Sequence, residues 1–164
     1  MIKVSDSEFR KTFEIPTSKS YANRALLLAA LSDKIITIHN LPKSTDVTTM
    51  ILCLKEIGLD VRSSKNSVTV FNSFPECEKK LGANEVILET GDGGTTNRFL
   101  LALLSRGELN YKLVPRERMI RRPVKGLEKF FEESNIDFEI TDTSYFVCGK
   151  NKHIKNFYEI DCSL

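Results

Sequence analysis

Two stretches of the sequence place small, hydroxyl-bearing and cationic side chains at the predicted start of an apolar helix. Residues 18–24 contain Lys19, Ser20 and Arg24, and residues 91–98 contain three glycines followed by two threonines and an arginine. A helix N-terminus exposes free backbone N–H groups and a partial positive charge, so it favours anions. Glycine lets an anion approach the backbone closely. The two stretches therefore predict two anion-binding helix starts.

A third cluster, residues 116–122, holds four arginines directly before Pro123. Proline is common in the first turn of a helix, so we expect this basic segment to precede another helix start. The cluster indicates either a third cationic contribution to an anion site or a solvated basic loop. Aromatic side chains that would stack on bases are not interleaved with the arginines, which makes a nucleic-acid surface the weaker interpretation.

The elements that would position these clusters recur about 75 residues apart, a period long enough for a whole α/β unit. Each copy is predicted to run strand, helix, strand, helix, strand, strand. In the first copy these elements are residues 13–15, 22–31, 34–40, 45–57, 59–62 and 68–71. In the second copy they are residues 85–89, 95–105, 109–114, 123–134, 136–140 and 145–148.

Several finer expectations accompany this repeat. Val61 and Phe138 occupy matching positions, each just after the second helix of its copy. Gly58 is expected to end the helix over 45–57, since glycine is common just after a helix C-terminus. Residues 91–94 are expected to form a loop, residues 73–84 are the candidate joint between the copies, and residues 157–161 are a candidate further strand. The pattern as a whole predicts an α/β fold of repeated βαβαββ units.

Charge and hydropathy exclude several broad classes of protein. The 164 residues include 24 Lys+Arg and 22 Asp+Glu, a formal net charge of +2, so strong bulk attraction to nucleic acid or an acidic membrane surface is not expected. No apolar run approaches the length of a membrane span, and no apolar stretch of signal-peptide type follows Met1.

The cysteines do not predict a metal site or a disulfide framework. They are Cys53, Cys77, Cys148 and Cys162. No two of them form a C-x-x-C pair, and the sequence has only two histidines that could join them as ligands. We expect four reduced thiols in a cytosolic protein, with Cys53 as a small core residue among its apolar neighbours.

The three clusters, in this order, resemble the family of 5-enolpyruvylshikimate-3-phosphate synthase (3-phosphoshikimate 1-carboxyvinyltransferase). The resemblance rests on Ser18-Lys19-Ser20-x-x-Asn23-Arg24, Asp46-Val47, Gly-Asp-Gly-Gly-Thr with Arg98, and Arg118-Met119-x-x-Arg122-Pro123-Val124. Each motif alone is weak to moderate, but all of them in order are highly specific, and they span essentially the whole chain. The resemblance implies the enolpyruvyl transferase fold, an inside-out α/β barrel with helices inside and strands outside.

That family has two domains of three α/β repeats each, which implies a domain organisation for this chain. Residues 13–72 and 85–150 would be the first two repeats of one domain, 151–164 would start the third repeat, and 1–12 would pack with the second domain. Family members are well over twice this long, and their Ser-Ser-Gln motif would follow this sequence. We therefore expect a fragment that is inactive alone. We expect the intact parent to be a monomer, and exposed apolar surface to favour self-association of the fragment.

The reaction implied by the resemblance transfers the enolpyruvyl group of phosphoenolpyruvate to the 5-hydroxyl of shikimate 3-phosphate, in chorismate and aromatic amino acid biosynthesis. Neither a metal nor an organic cofactor is implied. Both substrates are multiply anionic, in keeping with cationic helix starts. The expected partners are these two substrates and the remainder of the parent chain, with no nucleic acid and no membrane, and the expected location is the cytoplasm.

The resemblance also implies roles for individual residues. The expected contacts of shikimate 3-phosphate are Lys19, Ser20 and Arg24, and those of phosphoenolpyruvate are Lys19, Gly94 and Arg122. The residues implied to line or brace the pocket are Asp92, Thr95 and Arg98. Lys19 is the implied catalytic residue, since a lysine there would steady charge shared between the two substrates.

Two departures from the family pattern and two alternative functions remain open. Thr17 and Asp92 stand where the family often has Gly and Asn, and the Asp92 side chain could cap the following helix instead of opposing an anion. UDP-N-acetylglucosamine enolpyruvyl transferase has a related fold but usually carries a cysteine in the loop where residues 115–122 have none. A non-catalytic anion- or RNA-binding module on the same repeat is the other alternative.

Overall fold

The computed structural model describes residues 17–159. The helices in that range are α1 (Lys19–Leu31), α2 (Thr45–Glu56), α3 (Gly94–Leu104), α4 (Glu117–Ile120) and α5 (Lys125–Glu133). The strands are β1 (Ile36–His39), β2 (Val61–Ser63), β3 (Ser67–Val70), β4 (Glu85–Gly91), β5 (Asn110–Pro115), β6 (Asp137–Ile140) and β7 (Tyr145–Cys148). A 3₁₀ helix over Glu76–Lys80 lies within the predicted joint. The strand predicted over 13–15 lies outside the described residues.

The described strands form two sheets that share the order of three antiparallel strands. The first has the order β1-β3-β2, with both pairs antiparallel, and the second has the order β4-β5-β7-β6, in which β4 and β5 are parallel and the other pairs are antiparallel. The strands β1, β3 and β2 thus correspond to β5, β7 and β6. The predicted α/β fold of repeated units is confirmed.

Register extends the correspondence to single residues. Val70 on the central strand of the first sheet pairs with Ile36 on one side and Val61 on the other. Val147 on the central strand of the second sheet pairs with Tyr111 and with Phe138 in the same way. Val61 and Phe138 therefore do occupy matching positions.

The second helix of each copy also ends in the same way. Gly58 follows α2 with φ 94° and Asn135 follows α5 with φ 52°. The next residues then close the turn: the Leu59 N–H donates to Leu54 O at 3.1 Å and the Ile136 N–H to Phe131 O at 2.9 Å. A left-handed residue at this position is tolerated by glycine and, less readily, by asparagine. The predicted end of α2 at Gly58 is confirmed, and Asn135 plays the same part in the second copy.

The core lies where α1, α2 and α3 pack together and against the inner faces of the sheets. The sheet residues alternate accordingly, with Val68 and Val70 buried and Thr69 only partly so. Cys53 is 1% exposed and belongs to this core, as predicted. The described cysteines are free and buried: Cys53, Cys77 and Cys148.

Several boundaries differ from the sequence prediction. The helix predicted over 22–31 begins earlier, at Lys19, because Ser18 is its N-cap. The helix predicted to start at Pro123 begins at Lys125, because the first helical hydrogen bonds are accepted by Val124 O. The basic segment before it is not wholly a loop, since α4 forms one short helical turn within it. The glycine loop is reduced to Asp92 and Gly93, because β4 extends through Gly91. Residues 157–159 are not a strand, and 160–161 lie outside the described range.

Candidate functional site

The first turn of α1 presents the residues that the sequence singled out. Ser18 is the N-cap, and its Oγ accepts a hydrogen bond from the Tyr21 N–H at 3.4 Å. Arg24 Nη1 reaches back one turn and donates to Ser20 O at 3.1 Å and to Ser20 Oγ at 2.9 Å. The same guanidinium lies 5.8 Å from the ring centroid of Phe99 on α3. Ser20 and Arg24 are thus held together at the start of α1, on its side facing α3.

Lys19 is directed toward the start of α2. Its Nζ lies 2.9 Å from Oδ2 of Asp46, in the first turn of α2. Ser44 caps that helix, with its Oγ accepting from the Val47 N–H at 3.3 Å. From the sequence, Asp46 has no role beyond its place in a motif. An aspartate in a first helical turn is common, so the pairing of Asp46 with a lysine 27 residues away has no local signal.

The start of α3 is built on glycine. Gly91 adopts φ 64° at the end of β4, where its carbonyl accepts from the Arg116 N–H at 2.9 Å. The N-cap of α3 is Gly93 and not Asp92, and no side chain makes a cap hydrogen bond at this helix start. The interpretation of Asp92 as a capping residue is therefore wrong. A Cβ on Gly93 would lie 3.0 Å from Asp46 Cγ. The α2 carboxylate therefore packs directly against the backbone that opens α3.

Two guanidinium groups meet at the next residue. A Cβ on Gly94 would lie 2.9 Å from Nη1 of Arg122 and 3.0 Å from Nη1 of Arg98. Arg98 is oriented by Pro123, whose carbonyl oxygen accepts from Nη2 at 2.9 Å. Both guanidinium groups thus lie beside the N-terminus of α3, where a bound anion would also meet free backbone N–H groups.

The short helix α4 anchors the basic segment that carries Arg122. Met119 within it is fully buried, and its carbonyl oxygen accepts from the Tyr145 hydroxyl at 3.2 Å. Burial raises the pKa of Tyr145, so the hydroxyl remains a donor. The Arg122 N–H donates to Met119 O at 2.9 Å. The sequence leaves open whether this segment is a solvated basic loop or part of an anion site, and the single methionine that anchors it gives little signal in the sequence.

Hydrogen bonds between buried polar groups connect the helix starts in the interior of the protein. Asn23 is 1% exposed, and its Nδ2 donates to Thr96 Oγ1 at 3.2 Å. The Thr96 hydroxyl donates in turn to Asp46 O at 3.3 Å. Asn97, also buried, donates through Nδ2 to Thr90 O at 3.2 Å and to Gly93 O at 3.0 Å. Asn23 and Thr96 thus join α1, α2 and α3, whereas Asn97 ties the start of α3 to the end of β4. The sequence motifs include Asn23 but do not predict this role.

The structure thus brings together most of the predicted site. Arg98 and Arg122 lie at Gly94. Lys19 pairs with Asp46, which packs against Gly93. Thr95 lies half-buried in the first turn of α3, and Asp92 is exposed beside it. The binding role of each residue stays a prediction.

Within residues 17–159, no group of three or more His, Cys, Asp or Glu side chains could hold a metal ion. No helix in the same range is long and apolar enough to cross a membrane.

The chain matches one family along most of its length. The family model described as EPSP synthase (3-phosphoshikimate 1-carboxyvinyltransferase) matches residues 5–156. The 3-phosphoshikimate 1-carboxyvinyltransferase of Shewanella sp. (strain W3-18-1) is 36% identical over 121 residues, covering 73% of this chain and 28% of the relative. That of Clostridium novyi (strain NT) is 28% identical over 146 residues, covering 86% of this chain and 33% of the relative. The chain therefore spans about a third of the length of these relatives.

Solved structures agree on the fold. An EPSP synthase from Acinetobacter baumannii aligns with a TM-score of 0.75 at 17% identity, covering 90% of this chain and 34% of that chain. The enolpyruvyl transferase NikO from Streptomyces tendae aligns with a TM-score of 0.52 at 14% identity, covering 83% of this chain and 31% of that chain. The enolpyruvyl transferase fold predicted from the sequence is confirmed.

Proposed function

The chain belongs to the EPSP synthase (3-phosphoshikimate 1-carboxyvinyltransferase) family, and from that premise we propose that it forms part of an enzyme that transfers the enolpyruvyl group of phosphoenolpyruvate to the 5-hydroxyl of shikimate 3-phosphate. The reaction would serve chorismate and aromatic amino acid biosynthesis. The observation that carries this proposal is the meeting of Arg98 and Arg122 at Gly94, on the N-terminus of α3. Lys19 is linked to the same helix start through Asp46, which pairs with Lys19 and packs against Gly93.

Phosphoenolpyruvate is the substrate proposed for the α3 end of the site. Gly94 offers its backbone without a Cβ, so a phosphate can approach the free N–H groups of the first turn. Arg122 adds charge-assisted hydrogen bonds to the phosphate oxygens. Arg98, held by the Pro123 carbonyl, braces the cluster from the side. Asp92 and Thr95 would line the same pocket.

Shikimate 3-phosphate is the substrate proposed for the start of α1. Ser20 and Arg24 are already hydrogen-bonded to one another, so the guanidinium is oriented before any ligand arrives. Lys19 directly precedes Ser20 in the first turn of α1, and its ammonium pairs with Asp46 of α2. In the proposed reaction Lys19 stabilises negative charge shared by the two substrates, which is electrostatic catalysis.

The proposed chemistry needs no metal ion and no organic cofactor. We propose a cytoplasmic enzyme whose intact form is a monomer, with no nucleic-acid or membrane partner. For the 164 residues on their own we propose binding without turnover, because they span about a third of the matched relatives.

Self-association is a separate part of the proposal. Tyr21 and Leu28 lie two turns apart on α1 and are 78% and 67% exposed. Exposed apolar surface of this kind favours association. Sedimentation velocity should show a concentration-dependent increase in mass that the Leu28→Glu variant reduces. A single monomeric boundary at every concentration would contradict it.

The experiment that tests substrate binding is a ¹H–¹⁵N NMR titration of the 164-residue chain. Shikimate 3-phosphate should shift the amides of Ser20 and Arg24, and phosphoenolpyruvate should shift those of Gly94 and Thr95. Arg122→Ala should abolish the phosphoenolpyruvate shifts, whereas Arg62→Ala, which removes an exposed guanidinium paired with Asp60, should leave them unchanged. Absence of shifts at millimolar concentrations of both ligands would overturn the proposal that this chain binds the substrates on its own, and would mean that the site needs the remainder of the parent chain.

A further inference from the structure

We propose that Asp46 is a positioning residue, which fixes the Lys19 ammonium at the mouth of the α3 anion site. The inference rests on the proposed function, because the contact between Lys19 and a substrate is part of that proposal. The ion pair itself is a property of the structure, with 2.9 Å between Nζ and Oδ2.

The carboxylate is the fixed partner in this pair. The Asp46 side chain is 13% exposed and that of Lys19 is 64% exposed. Asp46 lies in the first turn of α2, where the helix N-terminus favours a negative charge. On its other side it packs against Gly93, where a Cβ would be 3.0 Å from Asp46 Cγ and 3.1 Å from Asp46 Oδ1. The carboxylate therefore has little room to turn away.

The backbone of Asp46 is fixed as well. Its carbonyl oxygen accepts from the buried Thr96 hydroxyl at 3.3 Å, and Thr96 accepts from Asn23 of α1 at 3.2 Å. The position of the carboxylate is thus set by the same contacts that set α1 against α3. A lysine side chain has a flexible four-carbon stem, so an anchored acceptor decides where its ammonium lies.

The ammonium has three donors and Asp46 occupies one of them, which leaves two for ligand oxygens. The pair also has no net charge, so Asp46 opposes long-range attraction of an anion while it directs Lys19. The positioning role and a merely electrostatic role therefore predict opposite changes in substrate affinity when the charge of Asp46 is removed. Asp46→Asn, which keeps the shape and removes the charge, should weaken shikimate 3-phosphate binding if Asp46 positions Lys19, and should strengthen it if Asp46 acts only as a nearby negative charge.

The test is a comparison of Asp46→Asn with the wild-type chain by NMR. We expect the dissociation constant for shikimate 3-phosphate to increase about tenfold, because displacement of a contact group by about 1 Å is costly. Asp60→Asn is the matched control, since it breaks another surface carboxylate pair, that with Arg62 at 2.8 Å. Unchanged or tighter binding in Asp46→Asn would overturn the positioning role.

A second variant guards against misfolding. Gly93 has φ −69° and ψ 109°, which alanine adopts freely. Gly93→Ala therefore pushes, without changing any charge, on the Asp46 carboxylate and on the Thr96 hydroxyl that holds the Asp46 backbone, both 3.0 Å from the new Cβ. It should weaken binding in the same direction as Asp46→Asn. Equal binding in Gly93→Ala and wild type, in a folded protein, would also count against the proposal.

A readout without substrate separates this inference from the proposed function. The Lys19 side-chain ammonium should give a ¹H–¹⁵N signal protected from exchange with water in the wild type and lost in Asp46→Asn. Loss of the signal together with no binding of shikimate 3-phosphate by the wild type would refute the proposed function and leave the ion pair standing. A signal unaffected by Asp46→Asn would refute the positioning of Lys19.

Discussion

The Asn23 amide donates to the Thr96 hydroxyl across 3.2 Å in the interior of the protein, and these residues are 73 positions apart in the chain. The Thr96 hydroxyl donates in turn to Asp46 O at 3.3 Å. One hydroxyl group thus joins the first turns of α1, α2 and α3. The relative positions of Lys19 on α1 and Gly94 on α3 depend on it.

Thr96→Val tests this joint. The substitution keeps the side-chain shape but leaves the Asn23 amide without a partner, and Asn23 Oδ1 already has none among the described residues. A buried polar group left unpaired costs about 1–3 kcal/mol, so the free energy of unfolding measured with urea should fall by that amount. Thr48→Val, at an exposed position of α2, is the control and should change it little. Equal values for the two variants would contradict the role of the hydroxyl.

Much of the fold was predictable because its signals are local. Ser18 and Ser44 cap their helices, because each side-chain hydroxyl accepts a hydrogen bond from the backbone N–H three residues later in the chain. Gly58 ends α2 with a positive φ. The alternation of apolar residues then sets the strands, and the matching of Val61 with Phe138 follows from their equal distance from those helix ends. The elements repeat because each copy contains the same local signals.

The parts that were not predicted depend on contacts between distant residues. Nothing near Asp46 in the chain indicates that its carboxylate meets Lys19, and nothing near Asn23 indicates that Thr96 is its partner. The turn of α4 is stabilised by Met119, which is buried and whose carbonyl oxygen accepts from the Tyr145 hydroxyl. A helix of four residues is too short for a hydrophobic pattern in the sequence to predict it. Sequence motifs thus indicate candidate site residues, while contacts between distant residues decide how those side chains are held.

A buried carboxylate stabilises the connection between the two copies. Glu78 is 9% exposed, its oxygens accept from the Glu108 N–H at 3.1 and 3.2 Å, and Tyr111 donates its hydroxyl to the same group. Glu78→Gln replaces one acceptor with an amide donor that faces the Glu108 N–H. We expect a loss of about 1.5–3 kcal/mol in the free energy of unfolding, since hydrogen bonds to charged groups are the stronger ones.

The matched control for Glu78→Gln is Glu76→Gln, an exposed position in the same 3₁₀ helix. Both variants lose one negative charge, so a difference between their denaturation midpoints isolates the buried hydrogen bonds. If Glu76→Gln proves as destabilising as Glu78→Gln, net charge and not the buried contacts would be responsible.

Alkaline pH should destabilise the protein through its buried thiols. Burial raises the pKa of Cys53 to about 12 and that of Cys77 to about 11. The pKa of a thiol in the unfolded chain is about 8.5, so above that pH the unfolded chain releases protons that the folded chain retains. The stabilisation is complete below the unfolded pKa and is lost as pH rises toward the folded values, at a limiting slope of about 1.4 kcal/mol per pH unit for each thiol.

Urea denaturation between pH 8 and pH 10 measures this slope. Cys53→Ala removes one of the two thiols, so its unfolding free energy should start lower, because a buried side chain is truncated, but decline less steeply with pH. The same slope in the variant and the wild type would show that other groups cause the alkaline destabilisation.

Gly94→Ala should separate anion binding from stability. The new Cβ would lie 2.9 Å from Arg122 Nη1 and 3.0 Å from Arg98 Nη1, so both guanidinium groups must move away from the α3 N-terminus. Those atoms are the ends of flexible side chains, and alanine favours the helical backbone by up to about 1 kcal/mol over glycine. We therefore expect phosphoenolpyruvate affinity measured by NMR to fall about tenfold or more, with no loss of stability to urea.

Gly126→Ala, in the first turn of α5 with no atom within 4 Å of its Cβ position, is the control and should leave affinity unchanged. Retained affinity in Gly94→Ala would show that the two arginines do not meet the anion at this glycine.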